Sequence, residues 1–230
     1  MKTIGLIGGM SWESTASYYR LLNQGVKQQL GGLHSAKIIL NSLDFDEIEK
    51  LQMSDDWEEL SVILSNAATS LERAGVDFIL ICTNTMHKVA NAIQTAVTIP
   101  LLHIADATGQ ALKAQRIKKV GLLGTRFTME QAFYKDYIEN KYGIEVVIPN
   151  DSDRDKVHQI IYQELCKGVI NPSSIDTYLS IIEVLAKEGA QGIILGCTEI
   201  GLLVKQQDTK VKLFDTTVIH AESAINKALS

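Results

Sequence analysis

The chain has 230 residues, 46% hydrophobic and 21% charged, with a formal net charge of -5. This is the balance of a globular chain that can bury one large or two small cores, and it excludes intrinsic disorder. The slight acidic excess without a basic cluster speaks against nucleic acid or a membrane surface as partner, and charged residues interrupt every apolar run before membrane-spanning length. Met1-Lys2-Thr3 leads straight into a strand-like segment without a signal-peptide core, so a cytoplasmic location is expected. Cys82, Cys166 and Cys197 lack CxxC spacing, which predicts neither a disulfide framework nor a metal site.

In chain order, Lys2 to Ile7 reads as a buried strand that breaks at Gly8-Gly9, with Ser11 as N-cap of a helix through Tyr18, Leu21 and Leu22. The spacing of Gly5, Gly8 and Gly9 does not fit GxGxxG, so dinucleotide binding is disfavoured. Ala36 to Leu40 is strand-like, Asp44 to Met53 a short helix carrying Gln52, and Ser54 the cap of an amphipathic helix from Asp55 to about Ala74. Asp77 to Ile81 is a buried strand running into Cys82-Thr83-Asn84-Thr85, and Met86 to Gln94 a helix. Leu101 to Ile104 reads as a further strand, leading to Asp106 and a helix through Leu112.

The second half echoes the first. Lys119 to Thr125 repeats the pattern of Thr3 to Gly9, followed by a helix over 126–140, a strand over 144–147, a helix over 155–167 stopped by Gly168, and a helix begun by Asn171-Pro172. Ile193 to Gly196 is a buried strand ending at Cys197-Thr198-Glu199, and Val211 to Thr216 echoes Leu101 to Asp106. The expected fold is α/β, as two similar domains with parallel sheets flanked by helices, related as an internal duplication. The predicted boundaries are 1–104 plus 211–230 for the first domain and 105–210 for the second, with the active site in the cleft between them. Carboxyl ends of strands in such sheets are where ligands bind.

A gapless overlay of residues 75–85 on 189–199 sets Gly75 on Gly189, Cys82 on Gly196 and Thr83 on Cys197. Successive strand residues face opposite sides, so Cys82 and Thr83 cannot both reach the site; a one-residue bulge would select Cys82 instead.

Gly8-Gly9-Met10-Ser11, Asn84-Thr85-Met86-His87 and Gly196-Cys197-Thr198-Glu199 together resemble the aspartate/glutamate racemase family over essentially the whole chain. The Cys-Thr-Glu ending looks more like its aspartate racemase branch than the glutamate racemase branch, which typically has Cys-Thr-His. The resemblance implies a cofactor-independent amino-acid racemase, without pyridoxal phosphate, acting on a small amino-acid substrate and commonly dimeric. Two cysteines would serve opposite faces of the substrate Cα as base and acid, a task suited to a group whose reference pKa is about 8.5. It further implies that Asn84, Thr85 and Thr198 hold the α-carboxylate, and that Met10, Gln52, Thr125, Thr128 and Lys167 contact substrate.

This chain departs from the family pattern in having Thr83 where a cysteine usually precedes Asn-Thr. A hydroxyl is a far weaker acid and base than a thiol, so Cys197 and Thr83 predict a lopsided racemase; the resemblance to a family whose second-half cysteine generally handles the L-isomer implies that L to D is the favoured direction. The alternatives are a single-cysteine decarboxylase or cis-trans isomerase of a small dicarboxylic acid, and a non-catalytic amino-acid-binding protein. His87 reads as an ordinary helix histidine, Cys166 as a buried filler, and Asp106 and Asp215 as duplicated helix caps.

Overall fold

Each half of the chain is built on a short parallel strand with no exposed residue on either face. The computed structural model describes all 230 residues, in two units: Met1–Ile104 with His220–Ser230, and Ala105–Ile219. The elements of the first half are β1 (Ile4–Gly8), α1 (Trp12–Leu30), β2 (Ile38–Ser42), α2 (Phe45–Met53), α3 (Trp57–Arg73), β3 (Phe78–Ile81) and α4 (Ala90–Ala96). There follow α5 (Ile104–Ala114), β4 (Lys119–Gly124), α6 (Arg126–Glu130), α7 (Ala132–Tyr142), β5 (Glu145–Val147), α8 (Asp151–Gln163), α9 (Pro172–Lys187), β6 (Ile193–Gly196), α10 (Ile200–Leu203), β7 (Leu213–Asp215) and α11 (Thr216–Leu229).

In the first unit the strands lie in the order β2-β1-β3, all parallel. The pleat sorts its side chains onto two cores. Ile4, Leu6, Phe78, Leu80 and Cys82 pack with Tyr18 and Leu22 of α1 and with Ala224 and Ile225 of α11. Ile7, Ile79 and Ile81 pack on the other side with Leu60, Leu64 and Leu71 of α3. Each fully buried aliphatic side chain of this kind contributes about 1.5–3 kcal/mol. β1 stops where the chain must turn: Gly9 has φ +90, and a Cβ there would run into the Leu43 carbonyl. Only glycine combines that φ with that approach. Ser11 then caps α1 by accepting from the Ser14 N–H, and the Ser14 hydroxyl donates to the Cys82 carbonyl at 2.6 Å, tying the helix start to the end of β3.

In the second unit the order is β5-β4-β6-β7, again all parallel. Helices α8 and α9 pack on β4. The Thr216 hydroxyl donates to the Leu195 carbonyl at 2.8 Å, closing the start of α11 onto β6. In the first sheet the place corresponding to β7 is reduced to one bridge, Ile79 to Leu101. With that bridge counted, both sheets have the same strand order, so the two α/β units repeat one topology.

Several local expectations change. Residues 211–219 belong with the second unit, because β7 bonds to β6. No strand covers 101–104; Pro100 precedes a single bridge and α5 begins at Ile104. α3 is capped by Asp56 rather than Ser54, since Asp55 turns at φ 59. The segment after Thr83 is a 3-10 turn, Thr85–Val89, before α4, and the helix expected over 126–140 breaks at Gln131, which is extended. The helix expected over 155–167 starts earlier, at Asp151 behind the Asn150 cap, and ends in a 3-10 turn, Leu165–Lys167, closed by Gly168 at φ 71.

Candidate active site

The end of β3 separates Cys82 from Thr83. The ladder runs without interruption from Ile4 paired with Phe78 to Ile7 paired with Ile81, and the Cys82 N–H still donates to the Ile7 carbonyl at 2.9 Å. Cys82 therefore continues the Phe78–Leu80 face into the core and is 1% exposed. Burial pushes its thiol far up, out of reach of ordinary acid–base work. Thr83 is half-buried. In the second unit Leu123 pairs with Leu195 and Gly124 with Gly196, also without a bulge. Matching β1 to β4 through their common sequence pattern thus sets Ile81 on Leu195, Cys82 on Gly196 and Thr83 on Cys197, the same register as the sequence overlay. The bulge that would have selected Cys82 is absent from both ladders.

Cys197 leaves β6 with a carboxylate beside it. Its Sγ donates to Glu199 Oε2 at 3.0 Å, and the Thr198 hydroxyl donates to the same oxygen at 2.6 Å. Cys166 approaches the other oxygen, Sγ to Oε1 at 4.0 Å. Glu199 is 2% exposed and Cys197 9%. Burial above all, then the Glu199 charge and the Cys166 thiol, hold Cys197 well above the ordinary thiol range. The resting form is a neutral thiol whose proton already points at a carboxylate. The chain geometry enforces this: Gly196 ends the strand, and the turn from Cys197 to Glu199 closes with the Ile200 N–H bonded to the Cys197 carbonyl, which brings residue 199 back over residue 197.

Glu199 is the residue that sequence reasoning undervalued. It lies in Gly196-Cys197-Thr198-Glu199, where a carboxylate two residues after a candidate nucleophilic thiol is the signal along the chain. Cys166, expected as a buried filler, is only partly buried and faces the Glu199 carboxylate. Asp215 does cap α11, accepting from the Thr217 and Val218 N–H groups. Asp106 does not cap α5 and instead accepts from Tyr142, Tyr137 and Lys141.

The other expected contacts are spread over both units. In the first, Asn84 and Thr85 are buried just after Thr83. Gln52 is buried with its amide donating to Met86 Sδ at 3.0 Å, and Met10 packs in the core with Ile7 and Leu64. In the second, Thr125 caps α6 by accepting from the Thr128 N–H, and the two hydroxyls bond at 3.2 Å. Lys167 is exposed at the end of its 3-10 turn, directly after Cys166. No group of three or more His, Cys, Asp or Glu side chains is arranged to hold a metal, and no helix is long and apolar enough to cross a membrane.

The chain is similar to known proteins over nearly its whole length. Residues 7–224 match the model of the Asp/Glu/Hydantoin racemase family. The broad specificity amino-acid racemase RacX of Bacillus subtilis (strain 168) is 28% identical over 178 residues, covering 76% of this chain and 75% of its own. Among solved structures, a candidate Asp/Glu racemase from Yersinia pestis is 60% identical with a TM-score of 0.93, and an aspartate racemase homologue from Pyrococcus horikoshii OT3 is 36% identical with a TM-score of 0.87; each comparison covers 100% of both chains. With its repeated α/β units and a thiol–carboxylate pair at the end of the second central strand, the chain belongs to the Asp/Glu/Hydantoin racemase family, and is an isomerase.

Proposed function

We propose that the protein racemises a small amino acid, aspartate- or glutamate-like, without a cofactor, and that it does so faster from L to D. The Cys197–Glu199 contact carries this reading. A second negative charge in that buried site is costly, so the thiol proton passes to Glu199 as Cys197 becomes thiolate and the pair keeps a single charge. The thiolate then takes the α-proton of the L-isomer. Thr83, or a water held by its hydroxyl, gives a proton to the opposite face of the carbanion and is reprotonated from solvent, while Glu199 returns its proton to solvent and so restores the resting thiol–carboxylate pair.

Asn84, Thr85 and Thr198 bind the α-carboxylate in this reading, while Met10, Gln52, Thr125, Thr128 and Lys167 line the substrate. Position 83 being half-buried while Cys82 is sealed in the core supports the choice of Thr83. The broad specificity in the name of the Bacillus subtilis relative favours a substrate panel wider than the acidic amino acids. A homodimer in the cytoplasm completes the proposal.

The test is α-proton exchange in deuterated water over L- and D-amino acids. Cys197→Ser should abolish exchange of L-substrates, and Thr83→Cys should raise exchange of D-substrates. Equal rates from both enantiomers in the unsubstituted protein would sink the lopsided mechanism. Carbon dioxide released from a malonate-type acid would point to a decarboxylase, and tight binding without exchange to a sensor.

A further inference from the structure

An imidazole holds the Thr83 carbonyl. His87, 2% exposed, places Nδ1 2.9 Å from that oxygen, while Nε2 accepts from the Ile104 backbone N–H at 3.1 Å. A carbonyl only accepts and an amide N–H only donates, so the two bonds admit one form: neutral imidazole with its proton on Nδ1. Burial first, then His103 and His220, favour that neutral form. His220 is locked in the opposite tautomer, with Nε2–H donating to the Leu102 carbonyl at 2.8 Å and Nδ1 accepting from the Tyr18 hydroxyl at 2.8 Å. The two histidines therefore grip one segment, Leu102 to Ile104, the last residues of the first unit before the chain enters the second. The Thr83 peptide is anchored through His87 to a segment that His220 fixes independently.

We propose that His87 is a positioning residue for proton delivery at Thr83. Its Nδ1–H, oriented by the Ile104 N–H, sets the Thr83 peptide and thus the direction of the Thr83 hydroxyl. The proposal rests on Thr83 serving that face of the substrate. Cys197 has no part in this network, so loss of the imidazole leaves proton removal from the L-isomer intact and weakens only delivery to the other face. The L-isomer would then lose its α-proton to Cys197, the thiol would exchange that proton for deuterium from the solvent and return it to the same face, and the substrate would invert less often.

The experiment incubates an L-amino acid substrate in deuterated water and measures the ratio of D-product to deuterated L-substrate. A glutamine at 87 reaches the Nε2 position and serves Ile104, but it leaves the Thr83 carbonyl without its donor; an asparagine places an amide donor near the Nδ1 position. His87→Gln should lower the ratio on the order of 10-fold, the scale expected when a reacting group is misaligned by less than an ångström, with His87→Asn restoring most of it. A ratio unchanged in His87→Gln, or exchange and inversion falling together, overturns the proposal. Should both variants fail to fold, ¹⁵N spectra of the unsubstituted protein decide: a proton on Nδ1 of His87 supports the assignment and one on Nε2 overturns it. Thr83→Ala separates the two layers. If it abolishes inversion while His87→Gln does not, only the His87 role fails; if inversion survives it, the Thr83 reading fails and takes the His87 role with it.

Discussion

Glu199→Gln removes a full charge 3.0 Å from the Cys197 thiol while keeping the side-chain length. At an effective dielectric of about 20, unit charges about 4 Å apart interact by about 4 kcal/mol, and that energy corresponds to about 3 pK units. The amide oxygen still presents a dipole to the sulfur, so part of that interaction remains, and a Cys197 thiol that ionises at lower pH than in the unsubstituted protein is the expected outcome. The assay is the pH dependence of alkylation by iodoacetamide, with the Cys82, Cys166 and Cys197 peptides quantified separately by mass spectrometry. Cys197 of the unsubstituted protein should react only above the ordinary thiol range, and the variant at lower pH. Racemisation should nevertheless slow, on the order of 10²-fold, because the acceptor of the thiol proton is gone. A more easily ionised thiol in a slower enzyme distinguishes a proton acceptor from a charge that merely burdens the site. An alkylation profile that stays put or moves to higher pH would refute the reasoning.

Acid should destabilise the first unit through its buried histidines. The pKa of His220 is pushed down by burial to about 3 in the folded chain, against about 6.5 when unfolded. Below about 6.5 the unfolded state therefore binds a proton that the folded state refuses, so this contribution is complete above that pH and is lost towards the folded value at about 1.4 kcal/mol per pH unit. Urea unfolding between pH 6.5 and 5 should show a slope reduced by one proton in His220→Gln; an unchanged slope would contradict the buried neutral imidazole. Gly9→Ala should cost at least about 3 kcal/mol in chemical denaturation, since it combines a positive φ with a clash against the Leu43 carbonyl. Cys82→Ala should cost about 1 kcal/mol of stability and leave racemisation rates unchanged, whereas loss of activity in a folded variant would return Cys82 to the site.

Much of this fold was legible because its determinants are local. Runs such as Ile193-Ile194-Leu195 need no partner to declare a buried strand. Ser11, Asp44, Thr125 and Asn171 cap helices with their own side chains a few residues ahead. The repeat set Thr83 at the position equivalent to Cys197, and strand pairing within each sheet keeps that register. What stayed hidden depends on residues far apart in the chain. His87 and His220 stand far apart in the chain until α11 folds back onto β3, and only then do the bonds of His87 to Thr83 and Ile104 and of His220 to Leu102 and Tyr18 choose their tautomers. Leu101 and Leu213 have similar local sequence, yet only the second half completes a strand. The Cys-Thr-Glu motif, met first as a family mark, acquired its chemistry from the turn after Gly196, which folds the carboxylate onto the thiol. Composition and spacing chose the residue types, and tertiary packing decided their protonation states, because burial and hydrogen-bond direction are set by neighbours that the linear chain does not reveal.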